Sequence, residues 1–82
     1  MYYVYILRSL KDEKDYVGLT NNLPRRLAEH NRGSHATPST LGRGPFKLVY
    51  SEEVNTMKKG REREKFFKSG VGRAWRRSNI PR

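Results

Sequence analysis

The run Tyr2-Tyr3-Val4-Tyr5-Ile6-Leu7 places large apolar or aromatic side chains on both faces of an extended chain. Tyr3, Tyr5 and Leu7 fall on one face, and Tyr2, Val4 and Ile6 on the other. A strand with that pattern has to be covered on both sides. The chain has 82 residues, which is enough for one compact domain and too few for two, so a single domain over residues 1–82 is expected. The core is marginal at this length, and most apolar residues are needed inside. The run is far too short to cross a membrane, and it lacks the basic lead-in and cleavage site of a signal peptide. There is no cysteine, which excludes disulfides and thiolate zinc sites and fits a reducing, cytoplasmic setting. With only two histidines, a histidine-rich metal site is not expected either.

The rest of the pattern supplies covers for the strand. Ser9 to Lys14 is polar and reads as a turn, and Asp15 to Thr20 as a second strand. So short a connection implies an antiparallel hairpin, with Tyr5 on the same face as Tyr16. Asn22, ahead of Leu23 and Pro24, starts a helix, because asparagine caps free amides and proline suits the first turn. That helix is expected to run to about Arg32 and stop at Gly33. Ser34 to Pro45 reads as a loop and Phe46 to Glu53 as a third strand. Asn55 or Thr56 caps a second helix reaching about Ser69, Gly70 and Gly72 break it, and Arg73 to Asn79 forms a short last helix. The expected class is α+β: a three-stranded antiparallel sheet flanked by helices, in the order β-β-α-β-α-α. Pattern alone does not place the third strand within the sheet.

Charge gives the first sign of a partner. Lysine and arginine number 18 against 8 acidic residues, a net charge of +10. Met1 to Met57 carries eight basic and six acidic residues, whereas Lys58 to Arg82 carries ten and two. A basic surface this dense attracts a polyanion, and nucleic acid is favoured, over an anionic membrane surface or a protein that is merely basic and soluble, because it presents regularly spaced phosphates and releases counterions on binding.

A few side chains stand out chemically. On a helical wheel of about 100° per residue, Met57 and Val71 lie within about 20° of Glu64, and Gly60 and Phe67 within about 60°. Glu64 is therefore expected on an inward stripe, while Glu62 faces solvent. An inward carboxylate needs a cation, a hydrogen-bond network or a metal, and an ion pair with an arginine would satisfy it equally well. Arg26 and His30 are four apart and share a helix face. That pair suits a phosphate, since the guanidinium is a fixed charged fork and the imidazole can pass a proton, although two solvated surface residues fit the spacing too. Tyr5 and Tyr16 read first as core tyrosines, and neither is a base without a cation or metal nearby.

Together these segments resemble a known family. Tyr3-Val4-Tyr5 and, after a short gap, Tyr16-Val17-Gly18 resemble the paired motifs of GIY-YIG nucleases. Gly18 to His30 is similar to that family's glycine-to-arginine helix segment, and Arg63 to Gly70 to its acidic helix. Gly44 to Tyr50 and the ending Gly72-Arg73-Ala74-Trp75 resemble its small stand-alone bacterial branch. The order and spacing of these motifs cover nearly the whole chain. Three positions depart from the pattern: Tyr3 replaces the first glycine, Gly60 stands where the small branch usually has alanine, and the late asparagine of homing-type members has no firm counterpart in Asn79.

The resemblance implies a metal-dependent endonuclease acting on nucleic acid, DNA before RNA, with one Mg²⁺ or Mn²⁺ ion. By similarity, Tyr5 and Tyr16 line the site and orient or deprotonate the attacking water. Arg26 holds the scissile phosphate, His30 assists proton transfer, and Glu64 binds the metal. Gly18 leaves room for the phosphate or a neighbouring side chain, and Arg25 and Lys68 contact substrate. The loop from Ser34 to Gly44, with His35 and Arg43, reads first as a flexible surface loop and second as a further substrate contact. Larger relatives carry separate targeting domains, so this chain is expected to prefer structures such as flaps, branches or single strands over a sequence. The alternatives are a non-catalytic nucleic-acid-binding module on the same fold and a small basic adaptor for a protein.

Overall fold

The apolar run forms strand β1, Tyr2–Ser9. Strands β2, Asp15–Thr20, and β3, Phe46–Val54, flank it on either side, so the doubly apolar strand is the centre of the sheet. This computed structural model describes residues 1–32 and 44–81. Apart from Gly44 and Pro45, the segment expected to be a loop, with His35 and Arg43, lies outside the described residues. Both strand pairings are antiparallel, which the short hairpin required of β1 and β2. Helices α1, Leu23–Arg32, α2, Met57–Lys68, and α3, Gly70–Asn79, complete the expected α+β order. Among the described residues no helix is long and apolar enough to cross a membrane.

Each face of β1 has its own cover. Val4 and Ile6 are fully buried against Phe67 of α2, Ile80 just past α3, and the Tyr50 and Trp75 rings. Tyr5 and Leu7 are buried on the opposite face with Phe46, against Leu23 and Leu27 of α1. Burying a phenylalanine such as the wholly enclosed Phe67 contributes about 1.5–3 kcal/mol. A charged group ties α2 to β3 beside it. Arg63 grips Glu52 with two nitrogens, Nε to Oε2 at 2.6 Å and Nη2 to Oε1 at 3.0 Å. Its guanidinium also lies 4.8 Å from the centres of both the Phe66 and Phe67 rings. Burial pushes the Glu52 carboxyl up, but the hydrogen bonds from Arg63 and Tyr50 outweigh it and hold the group below its usual range.

Side-chain caps set the helix starts. Asn22 Oδ1 accepts from the Arg25 amide at 3.1 Å, and Thr56 Oγ1, not Asn55, accepts from Lys59 at 3.1 Å. The expected break at Gly70 and Gly72 is corrected. Ser69 caps α3 through its hydroxyl, which accepts from the Gly72 amide at 3.2 Å, and the helix begins at Gly70. Gly72 is there because α3 meets the backbone of α2. A Cβ on Gly72 would collide with the Phe66 carbonyl oxygen and stand 2.6 Å from Phe67 Cα. The inward stripe on α2 also needs correction. Met57 is 41% exposed, and Val71, which belongs to α3, is 70% exposed. The stripe instead runs through buried Gly60 and Phe67. Leu19 fills the space at Gly60, its Cδ1 only 2.5 Å from where a Cβ would be, so the helix touches the sheet most closely there.

At the other cover, Asn31 joins the end of α1 to the start of β3, its Oδ1 accepting from the Phe46 amide at 2.6 Å. His30, one residue earlier, is buried with its ring 5.9 Å from that of Phe46, edge to face. Burial, then the nearby Arg26 charge, lower its pKa.

These contacts carry two predictions. Gly72→Ala should lower stability by roughly 1–3 kcal/mol, since the added methyl meets backbone that cannot move aside. Gly70→Ala, with nothing within 4 Å, should be neutral or stabilising by about 0.4–1 kcal/mol, and urea unfolding followed by circular dichroism separates the two. The second concerns pH. Because folding lowers the His30 pKa, the unfolded chain binds the proton more readily. The stability contributed by neutral His30 is complete above its unfolded value near 6.5 and is lost as pH falls through the lowered folded value. Melting temperature should therefore drop between pH 7 and pH 5, and drop less in His30→Gln.

Candidate active site

A strand at the edge of a sheet is the one place where side chains from opposite faces can meet. β2 is such a strand, and all six of its residues are partly exposed. A cleft of about 430 Å³ opens along it. Tyr5 reaches the cleft from β1, Tyr16 and Gly18 from β2, Arg26 and His30 from α1, and Glu64 and Lys68 from α2. Among the described residues, seven of the eight expected site residues thus line one cavity. Arg25 does not. It is exposed on α1, where its Nη2 donates to Asn21 Oδ1 at 3.3 Å.

The centre of the cleft is built around the Tyr5 ring. Tyr5 lies directly across the ladder from Gly18, while Tyr16 pairs with Leu7 on the same face. A Cβ on Gly18 would run into the Tyr5 hydroxyl and Cζ, so this glycine is what lets the ring lie over β2. The room it leaves is taken by the neighbouring tyrosine. Tyr16 packs edge to face on Phe46 with ring centres 5.6 Å apart.

The Tyr5 hydroxyl is 3.1 Å from His30 Nε2. Burial raises the Tyr5 pKa, and the hydrogen bond and charge of Arg26 oppose that rise without cancelling it. The phenol is therefore protonated near neutral pH, and His30, whose pKa is lowered, is uncharged. In the tautomer that carries the imidazole proton on Nδ1, the hydroxyl donates to Nε2. Arg26 stands beside them. Burial works against its charge, but the hydrogen bond to Tyr5 and then Glu29 outweigh burial. Its Nη1 lies 3.3 Å from Glu29 Oε1. The placement of His30 rules out the reading of Arg26 and His30 as two merely solvated residues.

Glu64 is not sealed in the core. Its side chain is 27% exposed at the cleft wall, and its partner is a lysine instead of an arginine, Lys68, at a long 3.4 Å. Asp15, Arg73 and Arg76 also line the cleft, and sequence reasoning did not single them out. The only signal for the two arginines was the basic C-terminal run; for Asp15 there was none. Asp15 is held by Arg8 at 2.9 Å and by Arg76 at 3.4 Å, so its charge is already matched. Glu64 is the cleft carboxylate less engaged by cations. Among the described residues no group of three or more histidine, cysteine, aspartate or glutamate side chains could cage a metal. One carboxylate completed by water is how Mg²⁺, which dehydrates reluctantly, is commonly held, and Glu64 fits that requirement.

The chain is similar to several known proteins. The family described as the GIY-YIG catalytic domain matches residues 1–78. A UPF0213 protein of Clostridium perfringens is 48% identical over 68 residues, 83% of this chain and 71% of the relative. A UPF0213 protein of Natronomonas pharaonis is 43% identical over 68 residues, 83% of this chain and 78% of the relative. The solution NMR structure of a UPF0213 protein from Bacillus halodurans superposes with a TM-score of 0.55 at 34% identity, covering 95% of this chain and 84% of that one. A family match over residues 1–78, together with relatives more than 40% identical over 83% of the chain, shows that the chain belongs to the GIY-YIG family.

Proposed function

We propose that this protein is a metal-dependent endonuclease that hydrolyses phosphodiester bonds of nucleic acid, DNA in the first place, with little sequence specificity. The observation that carries the reading is the convergence of Tyr5, Arg26, His30 and Glu64, from three different elements, on one cleft bordered by further cations. A binding module has no use for a partly buried carboxylate facing a phosphate, whereas a hydrolase does.

The chemistry follows from the state of each group. Arg26 remains charged and offers a planar fork to the non-bridging oxygens of the scissile phosphate, where negative charge builds as the bond breaks. Tyr5 begins protonated, so it cannot take a proton from water until it gives up its own. Neutral His30 Nε2, already at the receiving end of the Tyr5 hydrogen bond, accepts that proton. The resulting phenolate, favoured by Arg26 beside it, takes one proton from the attacking water, which leaves Tyr5 protonated again and His30 as the imidazolium. Tyr16, on the same strand face, orients the water. Glu64 would hold a Mg²⁺ or Mn²⁺ ion, whose charge supplies stabilisation for the leaving oxygen. Lys68, four residues on, supports the phosphate at the rim.

Supercoiled plasmid and labelled branched and single-stranded DNA should be cut with Mg²⁺ or Mn²⁺ and left intact with EDTA. Glu64→Ala should abolish cutting while keeping the melting temperature and DNA affinity of the parent. A parent protein that binds DNA in a salt-sensitive way and cuts no substrate would establish the binding-module reading instead. Arg26→Ala should slow cleavage by about 10²–10³-fold, the usual loss for one donor to a developing oxyanion. A rate like that of the parent would remove Arg26 from the phosphate.

A further inference from the structure

A second groove, of about 540 Å³, continues from the cleft between the β1–β2 turn and α3. Asp15, Arg73 and Arg76 line both cavities, so the two are contiguous. Its walls carry Arg8, Lys14, Arg73, Arg76 and Arg77 against Glu13 and Asp15.

These cations divide into two groups. Arg8 and Arg76 are partly buried and committed to Asp15, and Arg8 Nη1 also donates to the Pro81 carbonyl at 2.8 Å. They are the frame of the groove. Lys14, Arg73 and Arg77 are exposed, and among the described residues their side chains make no hydrogen bond or ion pair. Arg73 and Arg77 are four apart on α3 and project from one face. Because Arg8 and Arg76 already neutralise Asp15, the exposed cations set the sign of the groove. A row of unpaired cations leading out of a phosphate-binding cleft is a track for more of the same polyanion.

We infer that the DNA strand leaving the scissile phosphate runs along this groove, with backbone phosphates engaged by Arg73, Arg77 and Lys14. The inference rests on the nuclease reading and extends it by giving the strand a direction, from the β2 edge past the hairpin turn along α3. It also gives the basic C-terminal third of the chain a specific task. Contacts of this kind go to the backbone and carry no base information, which fits a nuclease of low sequence specificity.

The test is binding of a labelled DNA oligonucleotide in EDTA across a range of salt, with cleavage in Mg²⁺ measured in parallel. Arg73→Ala/Arg77→Ala is compared with the parent and with Lys58→Ala/Arg61→Ala, which removes the same charge from the outer side of α2, where Lys58 and Arg61 border a different cavity. The slope of log affinity against log salt should fall by about 0.7–0.9 per groove arginine removed, and affinity near physiological salt should weaken on the order of tenfold. The α2 variant should change far less. A parent that binds and cuts, with the groove variant indistinguishable from the α2 variant, overturns the track and leaves the nuclease reading standing. A parent that neither binds nor cuts DNA overturns both.

Discussion

The structure depends on a strand that has to be dry on both sides. β1 carries Val4 and Ile6 on one face and Tyr5 and Leu7 on the other, and all four are buried. In a chain of 82 residues no single helix can serve both faces. The helices are therefore divided, with α1 on the Tyr5 side and α2 with α3 on the Val4 side. The division decides where a site can form. Residues on α1 and α2 are separated by the sheet everywhere except past its edge, and the β2 edge is where Arg26 and Glu64 come to share a cavity. The cleft is thus a result of how the core is closed.

Inside the cleft, burial and charge act in opposition. Desolvation keeps Tyr5 a neutral phenol and His30 a neutral imidazole, while Arg26 retains its charge. The hydroxyl oxygen and the imidazole nitrogen stand 3.1 Å apart, close enough to share a proton. Gly18 belongs to the same device. With any larger residue there, the Tyr5 ring would have to leave β2, and its hydroxyl would lose its place beside His30.

Much of this was legible in the sequence because it rests on local rules. Alternation along Tyr2–Leu7, the short turn and the caps at Asn22 and Thr56 are encoded within a few residues each, and the i, i+4 spacing of Arg26 and His30 put them on one face. What sequence reasoning misjudged depends on contacts between distant segments. Gly72 reads as a helix breaker because a list of residues cannot show the Phe66 carbonyl that excludes a side chain there. Met57 sits on the same wheel position as Glu64, yet it opens α2 and stays exposed, and the helix meets the sheet further along, at Gly60 against Leu19 and at Phe67 against Val4 and Ile6. The ion pair between Asp15 and Arg76 joins residues 61 apart, and the position of β3 follows from pairing across a similar span.

The Asn31 hydrogen bond to the Phe46 amide has a different kind of consequence. It fastens the end of α1 to the first residue of β3, so the two ends of the intervening stretch are held together. When the ends of a segment are fixed together, its length matters little to stability, since each doubling adds only about 0.6 kcal/mol of closure entropy. The clasp also bears on the cleft: His30, one residue before Asn31, and Tyr16, whose ring packs on Phe46, both line it, so a change at Asn31 would reach the site without touching it.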